Sequence, residues 1–223
     1  VRAAFLVGAL ALLVFTAPAK AEPTKTTFTL VGQSFNLTIP DGYCAPDEKS
    51  KAVADTLASA DPQNVTDFTY FDCKIATSAA GERRYGILKT PKNTLIVVLP
   101  PRADLLKEFG KLIADGSLAK ALATQDLVGD ANKSIKETTG VDLKISGTPK
   151  FVEADDRAAY IVGVMSGGED AQRKFALAGA LTEVKGRLIS WYVYGPYRSD
   201  ADVAALLREV KAYIAGFIAE NGG

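Results

Sequence analysis

From Ala158 to Tyr194 the chain alternates apolar and polar positions in twos, and just beyond it changes to a helical period. That switch constrains the fold more than any other stretch. Ala158 to Met165, Arg173 to Val184 and Leu188 to Tyr194 read as successive antiparallel strands. Ser166-Gly167-Gly168 and Lys185-Gly186 are the turns between them, the second a two-residue hairpin loop. Then Ser199 stands as a helix N-cap with Asp202 three residues on, and Val203, Leu206, Leu207, Val210, Ile214, Phe217 and Ile218 fall on one face of a long amphipathic helix. A sheet with one apolar face and a helix with one apolar stripe bury both by packing against each other.

The upstream segments fit the same plan. Phe28 and Leu30, then Phe35, Leu37 and Ile39, alternate as a strand pair with Gly32-Gln33 as the turn, stopped by Pro40-Asp41-Gly42. Ala45 to Ala60 reads as a short surface helix, and Phe68 and Tyr70 alternate towards Cys73. Tyr85 to Lys89 and Thr94 to Leu99 read as strands, the second apolar on both faces and so expected at the centre of the sheet. Pro101 opens a helix to about Ile113, with weaker helices over residues 116–139. Leu143-Ile145 and Phe151-Glu153 lead into the meander. The expectation is an α+β fold: an antiparallel β-sheet flanked by helices, ending in the long amphipathic C-terminal helix, in one domain over residues 22–223.

Residues 1–21, VRAAFLVGALALLVFTAPAKA, read as a secretory signal peptide. Arg2 supplies the positive end, Ala3 to Ala17 the apolar stretch, and Ala19-Lys20-Ala21 a cleavage pattern with the cut after Ala21. Pro18 and Lys20 end the apolar run short of the roughly 20 residues a spanning helix needs. The expected location is periplasmic or secreted, with no transmembrane span after the leader. The chain has 26 basic and 26 acidic residues. The leader holds Arg2 and Lys20 and no acid, so 24 against 26 remain, a net charge of −2. Such a balance gives no electrostatic footprint for nucleic acid. In an oxidising compartment Cys44 and Cys73, the only cysteines, are expected to form one disulfide rather than a redox or metal pair.

The chain has no histidine, which removes Ser-His-Asp and Cys-His catalysis and His-ligated zinc, and it has no glycine-rich phosphate loop. No cofactor is implied. Glu153, Asp155 and Asp156 cluster before a strand, where a solvated turn competes with cation binding or acid–base chemistry. Ser134 and Lys136 have the composition of a Ser/Lys pair but lie in a polar helical pattern, not a desolvated site. Trp191, Tyr192, Tyr194 and Tyr197 crowd the last strand and its exit. Alternation puts Tyr192 and Tyr194 on one face and Trp191 on the other, so one set packs under the C-terminal helix. The ligand-binding candidates are an aromatic platform of Trp191 and Tyr194, with Arg187 and Arg198 nearby.

The order of elements resembles the PsbP-like fold family. The likeness is carried by "FNLTIPDGY" near the start and by "AYIVGVM", "LTEVKGRLISWYVYGPY" and "SDADVAALLREVKAYIAGFI" at the end. That family includes luminal accessory proteins of photosystem II and exported bacterial proteins. The resemblance implies a non-catalytic binding or assembly module and transfers no active-site residue; a bridge between Cys44 and Cys73 is not part of the family pattern. The expected function is therefore an exported accessory protein that binds a protein of the cell envelope. A periplasmic small-ligand or lipid carrier and a carboxylate-based hydrolase stand as alternatives.

Overall fold

The computed structural model describes residues 24–59, 61–74, 83–124, 129, 132–134, 136–137, 145–168 and 173–222. The expected leader lies outside these residues, as do Leu127, Val128, Ile135 and Val141 to Lys144. The fold is α+β. A hairpin of β1 (Lys25–Leu30) and β2 (Gln33–Thr38) stands apart from a seven-stranded sheet. That sheet comprises β3 (Tyr43–Cys44), β4 (Asn64–Asp72), β5 (Tyr85–Pro91), β6 (Lys150–Ala154), β7 (Ala159–Gly167), β8 (Arg173–Val184) and β9 (Arg187–Pro196). Their spatial order is β3-β4-β5-β9-β8-β7-β6, antiparallel throughout. Among the described residues the named helices are α1 (Glu48–Ser59), α2 (Arg102–Ala114), α3 (Ser117–Thr124) and α4 (Asp200–Glu220).

Two of the hairpin turns are two-residue loops with positive φ at each position, the geometry that matches strand twist. Lys185-Gly186 (φ 52° and 76°) joins β8 to β9, as the sequence predicts. The β1–β2 turn is Val31-Gly32 (φ 48° and 77°), one residue earlier than the expected Gly32-Gln33, because Leu30 pairs with Gln33.

The core lies between one face of the sheet and α4. Across that face Tyr160, Ala180, Trp191 and Leu88 are register partners on β7, β8, β9 and β5. Val210, Ile214 and Phe217 of α4 cover them, and Phe28, Phe35 and Leu37 of the hairpin close the end. Phe28, Phe35 and Phe217 stack with centroids 5.1–6.3 Å apart. At the start of α4 the Asp202 carboxylate accepts from the Ser199 and Arg198 N–H groups, at 2.8 and 2.7 Å, supplying partners that a first turn lacks.

One strand expectation is corrected. Thr94 to Leu99 is not a central strand but a loop on the surface, with Ile96 93% and Val98 75% exposed. The reason is topological: β5 is already paired on both sides, by β4 and β9, and offers no vacant edge to the segment that follows it. A 3-10 turn at Lys92–Thr94 carries the chain away instead.

Cys44 and Cys73 are bonded, their Cα atoms 5.0 Å apart, and the bridge brackets α1 as the sequence predicts. It fastens β3, a strand of only two residues, to the end of β4. Replacing both cysteines by serine should lower the unfolding free energy by about 3–4 kcal/mol on the loop-entropy argument. Urea denaturation with and without reductant measures this, and the reductant effect should vanish in the variant.

A bulge between Thr66 and Phe68 puts Asp67 off the β4–β5 register. Its carboxylate accepts from the Thr90 hydroxyl at 2.7 Å, and burial pushes its pKa up to about 6. The folded state thus holds a proton that the unfolded chain releases at the ordinary value of 3.8. Stability from this group is complete below that value and is lost as pH rises towards 6. Asp67→Asn, which keeps the Thr90 bond, should stabilise by about 1–2 kcal/mol at pH 7.5 and by nothing at pH 3.5. Thermal melts across that range test it.

Candidate functional site

Alternation on β9 sorts the aromatic candidates onto opposite faces. Trp191 is buried beneath α4, stacked on Tyr213 at 5.7 Å, edge-on to Phe217 at 5.8 Å, with its indole N–H donating to the Tyr70 hydroxyl at 2.7 Å. Tyr70 reaches that bond only because β5 has Gly86 beside it: a Cβ there would lie 2.0 Å from the Tyr70 ring. Tyr194 lies on the other face, stacked on Tyr85 at 4.6 Å in a row that runs from Phe71 to Phe175. Burial holds the Tyr85 and Tyr194 phenols above their ordinary pKa. Trp191 and Tyr194 therefore do not form one platform.

The two arginine candidates are separated as well. Arg198 is exposed at the entry to α4, its N–H bound to Asp202. Arg187 is buried at the start of β9, and its guanidinium donates to the carbonyls of Leu95 and Val97 at 2.7 and 3.2 Å. The same loop is tied by Leu99 N–H to the Gly186 carbonyl and by Val97 N–H to the Thr94 carbonyl. The inward-facing backbone groups of Leu95, Val97 and Leu99 are thus satisfied, and the side chains of Ile96 and Val98 are left pointing to solvent. An apolar tip held by a buried cation is a rigid feature, not a slack connection. The sequence offers Arg187 as a ligand-binding candidate, and its grip on this loop is not legible there.

A circuit of polar and aromatic contacts surrounds the inner end of Trp191. Tyr43 meets Tyr70 edge-on at 4.9 Å, and the Arg84 guanidinium lies 5.6 Å from the Tyr43 ring centre. Arg84 pairs with Glu209 at 2.5 Å, and Glu209 also accepts from the Tyr213 hydroxyl at 3.3 Å. Burial, opposed by Arg84, pushes the Tyr43 phenol up to about 12.

Two of the three acidic candidates make structural contacts. Asp155 accepts from the Arg157 and Ala158 N–H groups and the Tyr160 hydroxyl, closing the turn between β6 and β7. Glu153 pairs with Lys211 of α4 at 2.8 Å, while Asp156 is exposed. Asp61 and Lys89 meet at 2.6 Å. Burial would raise the Asp61 carboxyl, but the Lys89 charge holds it below its ordinary value. The Ser134 hydroxyl donates to the Ser59 carbonyl.

Among the described residues, two surface cavities stand out. One, of about 460 Å³, sets Arg102 and Lys185 against Asp156 and Glu183 at the start of α2. The other, of about 170 Å³, is a groove between α4 and the end of β2, walled by Leu37, Pro40, Tyr213 and Phe217 and floored by Trp191, with Gly216 and Glu220 along its edge. Neither was anticipated from sequence. Among the described residues no helix is long and apolar enough to cross a membrane.

No protein-family model and no curated protein matches the chain. The chain is similar to the solution structure of cyanobacterial PsbP (CyanoP) from Synechocystis sp. PCC 6803, at 16% identity over 85% of this chain and 89% of that one, with a TM-score of 0.37. It is also similar to the crystal structure of the Saccharomyces cerevisiae Ran-binding protein Mog1p, at 11% identity over 89% of this chain and 94% of that one, again with a TM-score of 0.37.

Proposed function

We propose that this chain is an exported, non-catalytic binding protein that engages a protein of the cell envelope through the Leu95–Leu99 loop. The observation that carries the reading is the presentation of Ile96, Val97 and Val98, exposed by 93, 46 and 75%, on a backbone fixed by the buried Arg187. Exposing three adjacent β-branched aliphatic side chains gains the free chain nothing, and a fixed apolar cluster is the form a protein-binding hot spot takes. Fixing the loop beforehand reduces the ordering cost of association. A membrane-surface anchor draws on tryptophan and tyrosine at the lipid boundary, and this loop has neither. Export is supported by the composition of residues 1–21 and by the Cys44–Cys73 bridge, which persists in oxidising compartments.

A photoreactive amino acid at Ile96, in the full chain expressed in its native cells, should give a discrete protein adduct in the envelope fraction. The same probe at Ala204, on the exposed side of α4, should give none, and Val98→Asp should abolish the Ile96 adduct. Adducts to lipid alone, or equal yields from the two sites, overturn the reading.

Arg187→Met keeps most of the buried stem and loses both bonds to the loop. It should lower stability by about 2 kcal/mol, as for lost hydrogen bonds to a charged donor. Amide exchange at Leu99 and the yield of the Ile96 adduct report the rest: exchange should quicken and the yield fall several-fold while the fold persists by circular dichroism.

A further inference from the structure

We propose that Val31, at the tip of the β1–β2 hairpin, is a second apolar prong of the docking surface formed by the Leu95–Leu99 loop, and that both engage one concave apolar surface of the same envelope protein; the inference rests on that reading of the loop. Among the described residues two non-glycine residues hold left-handed backbone, Lys185 (φ 52°) and Val31 (φ 48°). The side chain of Lys185 accounts for its position, since its ammonium bonds the Ser34 carbonyl and Asn221 and lies over the Phe35 ring. Val31 has no such account. It is 53% exposed, and it takes the first place of a two-residue turn in which Asn-Gly is the preferred pair. Left-handed backbone brings Cβ close to the following carbonyl oxygen, and branching at Cβ adds to the crowding. The free chain thus carries strain and exposed apolar surface at one residue. Strain of this kind collects where a site uses it.

The hairpin delivers Val31 to the end of the sheet where the loop stands. Its contacts step outwards along β2: Thr38 bonds Glu220, the last residue of α4, Asn36 bonds Asn221 just past it, and Ser34 bonds Lys185 of the β8–β9 turn. Val31 lies beyond the last of these contacts, and a Cβ on Gly32 beside it would meet nothing within 4 Å. The loop is fastened to the same turn, where Leu99 N–H donates to the Gly186 carbonyl at 3.0 Å and Val98 faces Gly186. Lys185 holds the hairpin and Gly186 holds the loop, so adjacent residues set the spacing of the two apolar tips. Tips fixed relative to each other suit a preformed concave protein surface, because little ordering remains to oppose association. Neither tip carries the tryptophan or tyrosine that anchors at a lipid boundary.

In the full chain expressed in its native cells, a photoreactive amino acid at Val31 should capture the same protein as the probe at Ile96, read by the mass of the adduct. Val31→Asn, which suits the turn, should raise the melting temperature by about 2–4 °C. It should also lower the Ile96 adduct yield several-fold. Amide exchange at Leu99 should be unchanged in this variant, because the Arg187 clamp on the loop is untouched. Val31→Gly relieves the backbone without adding a polar group, and should lower the yield in the same way. A valine that served the fold would give the opposite pairing, a lower melting temperature with an unaltered yield. No protein adduct at Val31, or an adduct of different mass or of two copies of this chain, overturns the inference. So does an unaltered Ile96 yield in either variant, faster Leu99 exchange, or a lower melting temperature in Val31→Asn. In each of these cases the Ile96 adduct of the otherwise unsubstituted chain persists, and the reading of the loop stands without Val31. Absence of that adduct removes both.

Discussion

The close approach of α4 to β8 depends on a row of alanines. Ala176, Ala178 and Ala180 are fully buried, and Ala158 joins them at the entry to β7. Side chains that end at Cβ let the helix settle onto the strand, so Val210, Ile214 and Phe217 reach past it into the core. The flanking strands then supply bulk where β8 supplies none: Tyr160 on one side, Ile189, Trp191 and Val193 on the other. Each such side chain contributes about 1.5–3 kcal/mol on full burial, and all of them depend on the one helix that covers them. Among the described residues the β1–β2 hairpin has no hydrogen-bonded sheet neighbour, and it is held to the same helix by the Phe28–Phe35–Phe217 stack and by Asn221, which accepts from the Asn36 N–H and donates to the Asn36 carbonyl.

Trp191 extends this dependence across the sheet. Its indole N–H would be costly to bury unpaired, and the Tyr70 hydroxyl two strands away satisfies it. That bond in turn requires the bare backbone of Gly86 between them. The disulfide acts at the far end of the same circuit, since it holds the short strand that brings Tyr43 onto Tyr70. A covalent clamp, a missing side chain and one buried hydrogen bond thus position the floor of the α4 groove.

Local periodicity made most of this legible. The strands from Ala158 to Tyr194, the two-residue turn at Lys185-Gly186, the helix after Ser199 and the division of Trp191 from Tyr192 and Tyr194 all follow from spacing alone, because spacing fixes which side chains share a face. Thr94 to Leu99 was misread for a reason that spacing cannot address. A short apolar run suits a buried strand or a presented loop equally, and the choice was made by β9, which occupies the edge of β5 from about a hundred residues further along the chain. The same distance hid Arg187. Its partners are backbone carbonyls, which carry no residue-type signature, so nothing in the sequence distinguishes a buried clamp from a solvated strand end.

The turn after β8 is where the apolar loop and the α4 groove meet. Lys185 holds a left-handed backbone that few non-glycine residues adopt, and its ammonium donates to the Ser34 carbonyl at 2.8 Å and to Asn221 Oδ1 at 3.3 Å, while lying 5.1 Å from the Phe35 ring centre. The hairpin, the end of α4 and the turn are thereby joined at one point. Gly186, the next residue, accepts from Leu99 and faces Val98. On the α4 side, Glu220 directly precedes Asn221 and bonds Thr38 at the groove mouth. The loop and the groove are thus connected through two adjacent turn residues and two adjacent helix-end residues. Displacing either the hairpin or the α4 terminus must strain a joint that also anchors the loop. The groove and the apolar tip thus share a mechanical element.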